Sequence, residues 1–244
     1  EGDFPAHEGL VYPEWDEALH VLRPGGAGAA TNARGDLAVP WPIPAAWPRY
    51  AAIDWGYAVP TALVVARSDP PSGLAVVERV AYAAQVRASV WARLVPELAG
   101  GPLAGPLVSD HDAGERAEVN AAGVPTIPAR KDVVEGLERV ARWLHAPPGR
   151  PPRLAVVVDD RAPPSHAVVG RYDGAALVRE LSGYRYPPQP AGQVGGARDL
   201  PLKRDDHAAD ALRYLLADLD GRAADGPVRL LSGRPFRLSL ASGR

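Results

Sequence analysis

From residue 49 onward, the alternation of apolar and polar positions divides the chain into short strands and amphipathic helices. Residues 50–55 (YAAIDW) form a short apolar run that ends in an acid and is followed by Gly56. Residues 61–67 (TALVVAR) and 74–83 (LAVVERVAYA) are two further apolar runs, separated by the turn-forming string Asp69-Pro70-Pro71-Ser72-Gly73. Two such runs around such a string predict an antiparallel hairpin. Residues 86–98 carry apolar side chains at helical spacing. A fourth strand is predicted over 107–110 (LVSD), again ending in an acid, then a short helix over 114–122 and an extended stretch over 125–128. Residues 132–144 (DVVEGLERVARWL) place Val133, Leu137, Val140, Ala141 and Leu144 on one face, the mark of an amphipathic helix. The fully apolar run 154–158 (LAVVV) predicts a buried strand, and 174–184 and 206–219 predict the last two helices.

A strand followed by a hairpin and then by βα units predicts an α/β domain with a mixed sheet and helices on both faces. Residues 1–48 show little periodicity, and the string PWPIPAAWP over 40–48 is incompatible with a helix interior or a central strand. These residues read as an extended joining segment whose Trp15, Trp41 and Trp47 cover apolar surface. The ordered domain is then expected over 49–220, with 187–201 a Pro/Gly loop and 221–244 a tail. Trp91 and Trp143, on predicted helices, are expected in the core.

Cysteine is absent from the 244 residues, which excludes disulfides, zinc ribbons and thiol catalysis. Any bound metal must take carboxylate, imidazole or water ligands, which favours magnesium or manganese over structural zinc. No apolar run approaches the roughly 18–20 residues of a membrane-spanning helix, and no secretory signal is present, so a soluble, intracellular protein is expected. A chain that starts at Glu1 and contains no methionine reads as a piece of a longer one. The formal net charge of −2 argues against a strongly basic nucleic-acid binder, although an acidic catalytic cluster lowers that sum by itself.

Three acidic features carry candidate chemistry: Asp54 at the end of the first predicted strand, Asp110 at the end of the fourth, and the cluster Asp205-Asp206-His207-Ala208-Ala209-Asp210 opening the last helix. Acids at the ends of adjacent strands leave the same sheet edge, and a helix delivers further ligands across the cleft. Three or four such carboxylates can hold two divalent ions about 3.5–4 Å apart, the arrangement that hydrolyses phosphodiesters. On a helix, His207 and Asp210 share one face. Each acid also has a plainer reading. Asp before Gly at a strand end is a common turn former, and Asp205 or Asp206 can simply cap the helix.

The string PLKRDDHAADALRYLL (201–216) resembles the C-terminal signature of phage large terminases, a Lys followed by an Asp-His-x-x-Asp-Ala-x-Arg-Tyr helix. EGLVYPEWDEALHV (8–21) and IPAAWPRYAAIDWGYAVPTALVVAR (43–67) resemble the segment joining the terminase ATPase domain to its nuclease domain. Residues 109–144 and LVRELSGYRYP (177–187) resemble the middle of that nuclease domain and the approach to its last motif. The resemblance implies an RNase H-like fold and a metal-dependent endonuclease that cuts concatemeric double-stranded DNA when genome packaging starts and ends.

By the same resemblance, Asp54, Asp110 and Asp210 are catalytic metal ligands. Asp206 and His207 are further ligands of a two-metal site holding Mg2+ or Mn2+. Asp112 is a reserve acid, and Asp205 the expected cap. Lys203, Arg204, Arg130 and Lys131 are candidate DNA-backbone contacts, with solvated basic loops as the plainer alternative for the first two. The implied partners are double-stranded DNA, the ATPase domain of the same chain, the portal protein and the small terminase subunit. The implied setting is the procapsid in the host cytoplasm, and the isolated domain is expected to be monomeric. No Gly-x-x-x-x-Gly-Lys-Ser/Thr loop occurs, so the motor ATPase is expected to lie outside these residues. Two alternatives remain: another RNase H-like nuclease of the resolvase or transposase type, and a non-catalytic module that docks on DNA or the portal.

Overall fold

The computed structural model describes residues 9–25, 28–110, 112–160, 167–169, 173–188 and 200–225. Residues 1–8 of the expected joining segment, 189–199 of the expected Pro/Gly loop and the tail from 226 lie outside these residues.

In chain order the elements are α1 (Glu17–His20), β1 (Val21–Pro24), β2 (Ala29–Thr31), β3 (Ala38–Pro40), β4 (Arg49–Asp54), β5 (Thr61–Ser68), β6 (Ala75–Ala83) and α2 (Ala88–Ala99). Then follow β7 (Leu107–Ser109), α3 (Ala113–Ala121), β8 (Thr126–Pro128), α4 (Val133–Leu144), β9 (Leu154–Val157), α5 (Ala175–Gly183) and α6 (His207–Asp225). Among the described residues the strands form one sheet in the order β3-β2-β1-β9-β6-β5-β4-β7-β8. The hairpin predicted around Asp69–Gly73 is present as β5 antiparallel to β6, with a register shift between Val65 and Ala66. β4 adds antiparallel to β5, whereas β4–β7, β7–β8, β6–β9 and β9–β1 are parallel.

Burial on both faces follows from strand alternation. Ala52, Ala62, Val64, Ala66, Val77 and Val108 face one way, against α4, α5 and α6 through Leu137, Val140, Leu177, Leu181, Ala208 and Leu212. Their neighbours Ala51, Ile53, Leu63, Val65 and Leu107 face α2 and α3 through Trp91, Val95, Leu98 and Val119. The expected α/β architecture, a mixed sheet with helices on both faces, holds. Trp91 and Trp143 are buried as expected, the latter donating its indole N–H to Asp220 at 3.1 Å. No helix among the described residues is long and apolar enough to cross a membrane.

The segment expected to be an extended joiner differs. β1, β2 and β3 extend the same sheet beyond β9, and Trp41 and Trp47 pack on their own small core of Leu22, Ala30, Val39, Val76 and Val157. Strands this short show no readable alternation. Pro24 and Pro40 are tolerated because they sit at strand ends. Buried His20 ties the segment down, its Nε2–H donating to the Leu144 carbonyl at 2.8 Å. The last helix also runs past its expected end at 219, to Asp225.

The sheet contains one buried ionic cluster that the hydrophobic pattern did not announce. Glu78 on β6 accepts from Arg49 Nε on β4 (2.8 Å) and from Arg67 Nε on β5 (3.0 Å). All three side chains are buried, so the strands are locked together by charge as well as by their ladder.

Candidate active site

Asp54 ends β4, and Asp110 directly follows β7. These strands are parallel neighbours, with Ala52 beside Val108 and Ile53 beside Ser109. Both acids therefore leave the sheet at the same edge, and the Asp110 N–H continues the ladder by donating to the Ile53 carbonyl at 3.2 Å. The turn after Asp54 requires glycine: a Cβ on Gly56 would lie 2.6 Å from the Val59 carbonyl oxygen and 2.7 Å from that of Pro60. Thr61 closes this turn, its hydroxyl donating to the Gly56 carbonyl at 2.6 Å. The Trp55 indole N–H donates to Ser109 Oγ at 2.8 Å, which ties the ends of β4 and β7 to each other.

Helix α6 supplies the third side. Ala208, Ala209 and Leu212 anchor it on the sheet, and its first turn brings His207 and Asp210 to the strand ends. His207 Nδ1 lies 3.0 Å from Asp54 Oδ2, and the Tyr214 hydroxyl donates to Asp54 Oδ1 at 3.5 Å. Burial raises the Asp54 pKa against the lowering hydrogen bond of His207, and the charges of Asp210 and Asp110 raise it further. Asp54 thus senses both other acids across the cleft. The hydrogen bond with Asp54 in turn holds His207 above its ordinary 6.5, with burial opposing.

The remaining acids are compensated by protein cations. Asp210 Oδ1 accepts from Arg213 Nη2 (2.9 Å) and Nε (3.2 Å), and its Oδ2 accepts from Lys203 Nζ at 3.2 Å. Lys203 Nζ also lies 3.7 Å from Asp206 Oδ2. Burial pulls the Lys203 pKa down, but Asp210 and Asp206 outweigh it and the net shift is upward. Asp110 is paired with Lys131. Of the four residues expected to touch DNA, Lys131 and Lys203 therefore pair with carboxylates, Lys203 with its side chain still exposed. Arg204 is exposed beside Asp205, and Arg130 is exposed on the rim of a cleft of about 460 Å³ lined also by Ile127, Tyr214 and Arg222.

Two assignments change. Asp205, the expected cap, is exposed with φ +50°, and Asp206 stands at the capping position, its carbonyl accepting from the Asp210 N–H at 2.8 Å. Asp112, the reserve acid, caps α3 by accepting from Gly114 N–H (2.8 Å) and Glu115 N–H (3.2 Å).

Sequence reasoning missed the residues that support the site. Buried Glu180 on α5 accepts from the Tyr82 hydroxyl and from the Ala209 N–H, both at 2.8 Å, and so clamps the first turn of α6. Its pKa is pushed up to about 7 by burial, against those hydrogen bonds. Tyr184 donates to Asp206 at 3.4 Å, and Tyr12 from the N-terminal segment packs on Tyr184 with ring centroids 5.9 Å apart. Only Arg213 and Tyr214 carried a signal, since residues three and four beyond Asp210 share its helix face.

The chain shares its fold with solved structures. It superposes on the large terminase of a thermophilic bacteriophage with a TM-score of 0.60 and 18% identity, over 86% of this chain and 45% of that one. It superposes on the P22 large terminase nuclease domain with a TM-score of 0.57 and 14% identity, over 88% of this chain and 99% of that one. The nuclease domain of the SPP1 large terminase, solved with bound Mn, gives 0.52 and 16% identity over 83% and 98% of the two chains.

The fold is that of large terminase nuclease domains.

No family model and no curated protein matches the sequence. The chain spans less than half of the thermophilic phage's terminase but nearly the whole of the P22 and SPP1 nuclease domains, so the shared terminase fold is the nuclease part.

Three aspartates and an imidazole on converging elements are the hard, oxygen-rich ligands that magnesium or manganese takes. Among the described residues, however, no three His, Asp or Glu side chains converge closely enough to enclose an ion. The carboxylates are turned instead to His207, Lys203, Arg213 and Lys131. The ligand types fit the ion, on two neighbouring strand ends and one helix.

Proposed function

We propose that this chain is the nuclease domain of a viral large terminase and cuts double-stranded DNA as a divalent-metal-dependent endonuclease. The observation that carries the reading is the meeting of Asp54, Asp110 and Asp210 from two parallel strand ends and one helix, close enough that the latter two shift the Asp54 pKa. Asp54, Asp110 and Asp210 would hold the metal, with His207 and Asp206 at its margin. Bound there, Mg2+ or Mn2+ supplies a nucleophilic water at neutral pH and neutralises charge developing at phosphorus.

The chain's own residues prepare the site. Burial of Asp54 strengthens every charge interaction around it. Tyr214 and His207 orient its two oxygens, and Glu180 fixes the helix turn that carries His207 and Asp210. Lys131 and Lys203 keep the acids compensated. Both ammonium groups stand beside the cleft, where they would also contact the phosphate backbone and position DNA without reading sequence. Arg204 and Arg130, already exposed, extend that contact. The SPP1 domain solved with Mn and the G20c domain solved with cobalt support divalent-metal use. In the full motor the partners would be the ATPase domain, the portal and the small subunit, acting at the procapsid in the host cytoplasm.

The test is nicking and linearisation of plasmid DNA by the wild-type chain and by Asp54→Asn with Mg2+, Mn2+ or EDTA. The reading expects cleavage that needs metal and is lost in the variant. Metal-dependent cleavage surviving in Asp54→Asn overturns it. A second reading, a non-catalytic DNA- or portal-docking module, would require no divalent ion. Melting with and without Mn2+ separates the two, because an ion that binds only the folded state raises its stability.

A further inference from the structure

Behind Asp210 lies a layer that faces neither solvent nor substrate. Arg213 follows Asp210 by one helical turn and is only 3% exposed. Two of its N–H groups converge on a single oxygen, Asp210 Oδ1. A third nitrogen, Nη1, donates to the Asp132 carbonyl at 3.4 Å, and Asp132 is the residue that caps α4. The guanidinium also lies over the Tyr214 ring, 4.8 Å from its centroid, and the hydroxyl of that same ring reaches Asp54. The tip of Arg213 is thus held from three directions.

Its stem is held as well. It crosses α4 at Gly136, where a Cβ would lie 2.4 Å from Arg213 Cδ and 2.6 Å from Cγ. Glycine inside a helix costs about 1 kcal/mol relative to alanine, so local propensity disfavours it here. The passage of the arginine stem accounts for it.

We propose that Arg213, seated on Gly136, is a positioning residue of the candidate site: it commits Asp210 Oδ1 and thereby presents Oδ2 to the cleft as a ligand for a divalent cation. The inference rests on the reading of Asp210 as a metal ligand. A carboxylate held by nothing rotates among orientations, and each unproductive one weakens the ion's hold. Two donors of a rigid, permanently charged guanidinium converging on one oxygen restrict that freedom, and a lysine ammonium has no such planar pair. Because it is the stem that meets Gly136 while the tip is pinned, a methyl group at 136 can be accommodated only by withdrawing the guanidinium from Asp210.

The test uses the full chain as wild type, Gly136→Ala, Arg213→Lys and the double variant, titrated with Mn2+. Two readouts are taken: the Mn2+ dissociation constant fitted from the logarithmic rise of melting temperature with Mn2+ concentration, and the Mn2+ concentration giving half-maximal plasmid cleavage. Removing a residue that orients a metal ligand weakens metal binding about 10–100-fold, and a shift of that size is expected in both readouts for Gly136→Ala and for Arg213→Lys. The double variant should be no worse than Arg213→Lys, since Gly136 acts through Arg213. A Gly136→Ala protein that melts earlier yet binds Mn2+ with unchanged affinity shows a merely structural role and overturns the proposal. So does unchanged affinity in Arg213→Lys, which leaves Gly136 undisturbed and keeps the test alive if the alanine variant does not fold. A wild-type chain with no response to Mn2+ in either readout instead sinks the metal reading itself.

Discussion

Glu180 offers a quantitative check on how the last helix is held. The perturbation is Glu180→Gln. An amide at this position keeps both interactions, its oxygen accepting from the Ala209 N–H and its NH2 donating to the Tyr82 oxygen, but it removes a buried charge. Burial raises the carboxyl from 4.5 to about 7 in the folded protein. Between these values the folded state keeps a proton that the unfolded state has lost. Unfolding free energy therefore falls as pH rises from about 4.5 to about 7, and is flat with respect to this group above that. A shift of this size corresponds to about 3 kcal/mol between the two ends of the window. For a chain of this length that is roughly 6–12 °C of melting temperature.

The assay is thermal unfolding of the wild type and Glu180→Gln in EDTA at pH 4.5 and pH 8. Comparing the two proteins cancels the other groups that titrate in this range. The variant should match the wild type at pH 4.5 and exceed it at pH 8 by up to about 3 kcal/mol. The reasoning fails if the variant is the less stable protein at pH 8. That result would mean that the positive end of α6 and its N–H groups stabilise the carboxylate more than burial destabilises it.

Three further outcomes are expected. In the metal-free chain Asp54→Asn should fold normally and at neutral pH be at least as stable as the wild type, because burial disfavours the Asp54 charge; a melting temperature well below wild type contradicts this. His207, held above 6.5 by Asp54, stabilises the metal-free protein fully below pH 6.5, and this contribution is lost as pH rises through the raised value. If the imidazole is a metal ligand it must first lose that proton, so cleavage should decline as pH falls through the same raised value. His207→Asp should move the acid limb down and shift preference from Mn2+ toward Mg2+; an unchanged pH–rate profile and metal preference exclude ligation. Glu78→Ala leaves the buried Arg49 and Arg67 without their carboxylate and should cost about 3–5 kcal/mol in urea unfolding, with cleavage per folded molecule retained; a loss under 1 kcal/mol contradicts the cluster's role.

The sequence by itself determined every element from β4 to the last helix: the longer runs repeat a period of 2 or 3.6 residues, and short β7, β8 and β9 are extended or apolar runs set between readable helices. It also determined that Asp54, Asp110 and Asp210 were the acids to watch, since each stands where an apolar element ends or begins. It could not show β1, β2 and β3 as strands. Prolines and glycines interrupt their short runs, and the partner of β1 is β9, far along the chain, so their stability comes from pairing and not from local pattern. It could not show that Glu180 and Tyr82 buttress α6, or that Glu78 serves two arginines on neighbouring strands, because long-range polar contacts leave no periodic trace. The choice of cap between Asp205 and Asp206 was likewise settled only when the chain was placed against Lys203 and Tyr184. Gly136 marks the boundary most clearly. In the sequence it is a helix-weakening residue without a reason, and the reason is an arginine stem brought across it from another helix.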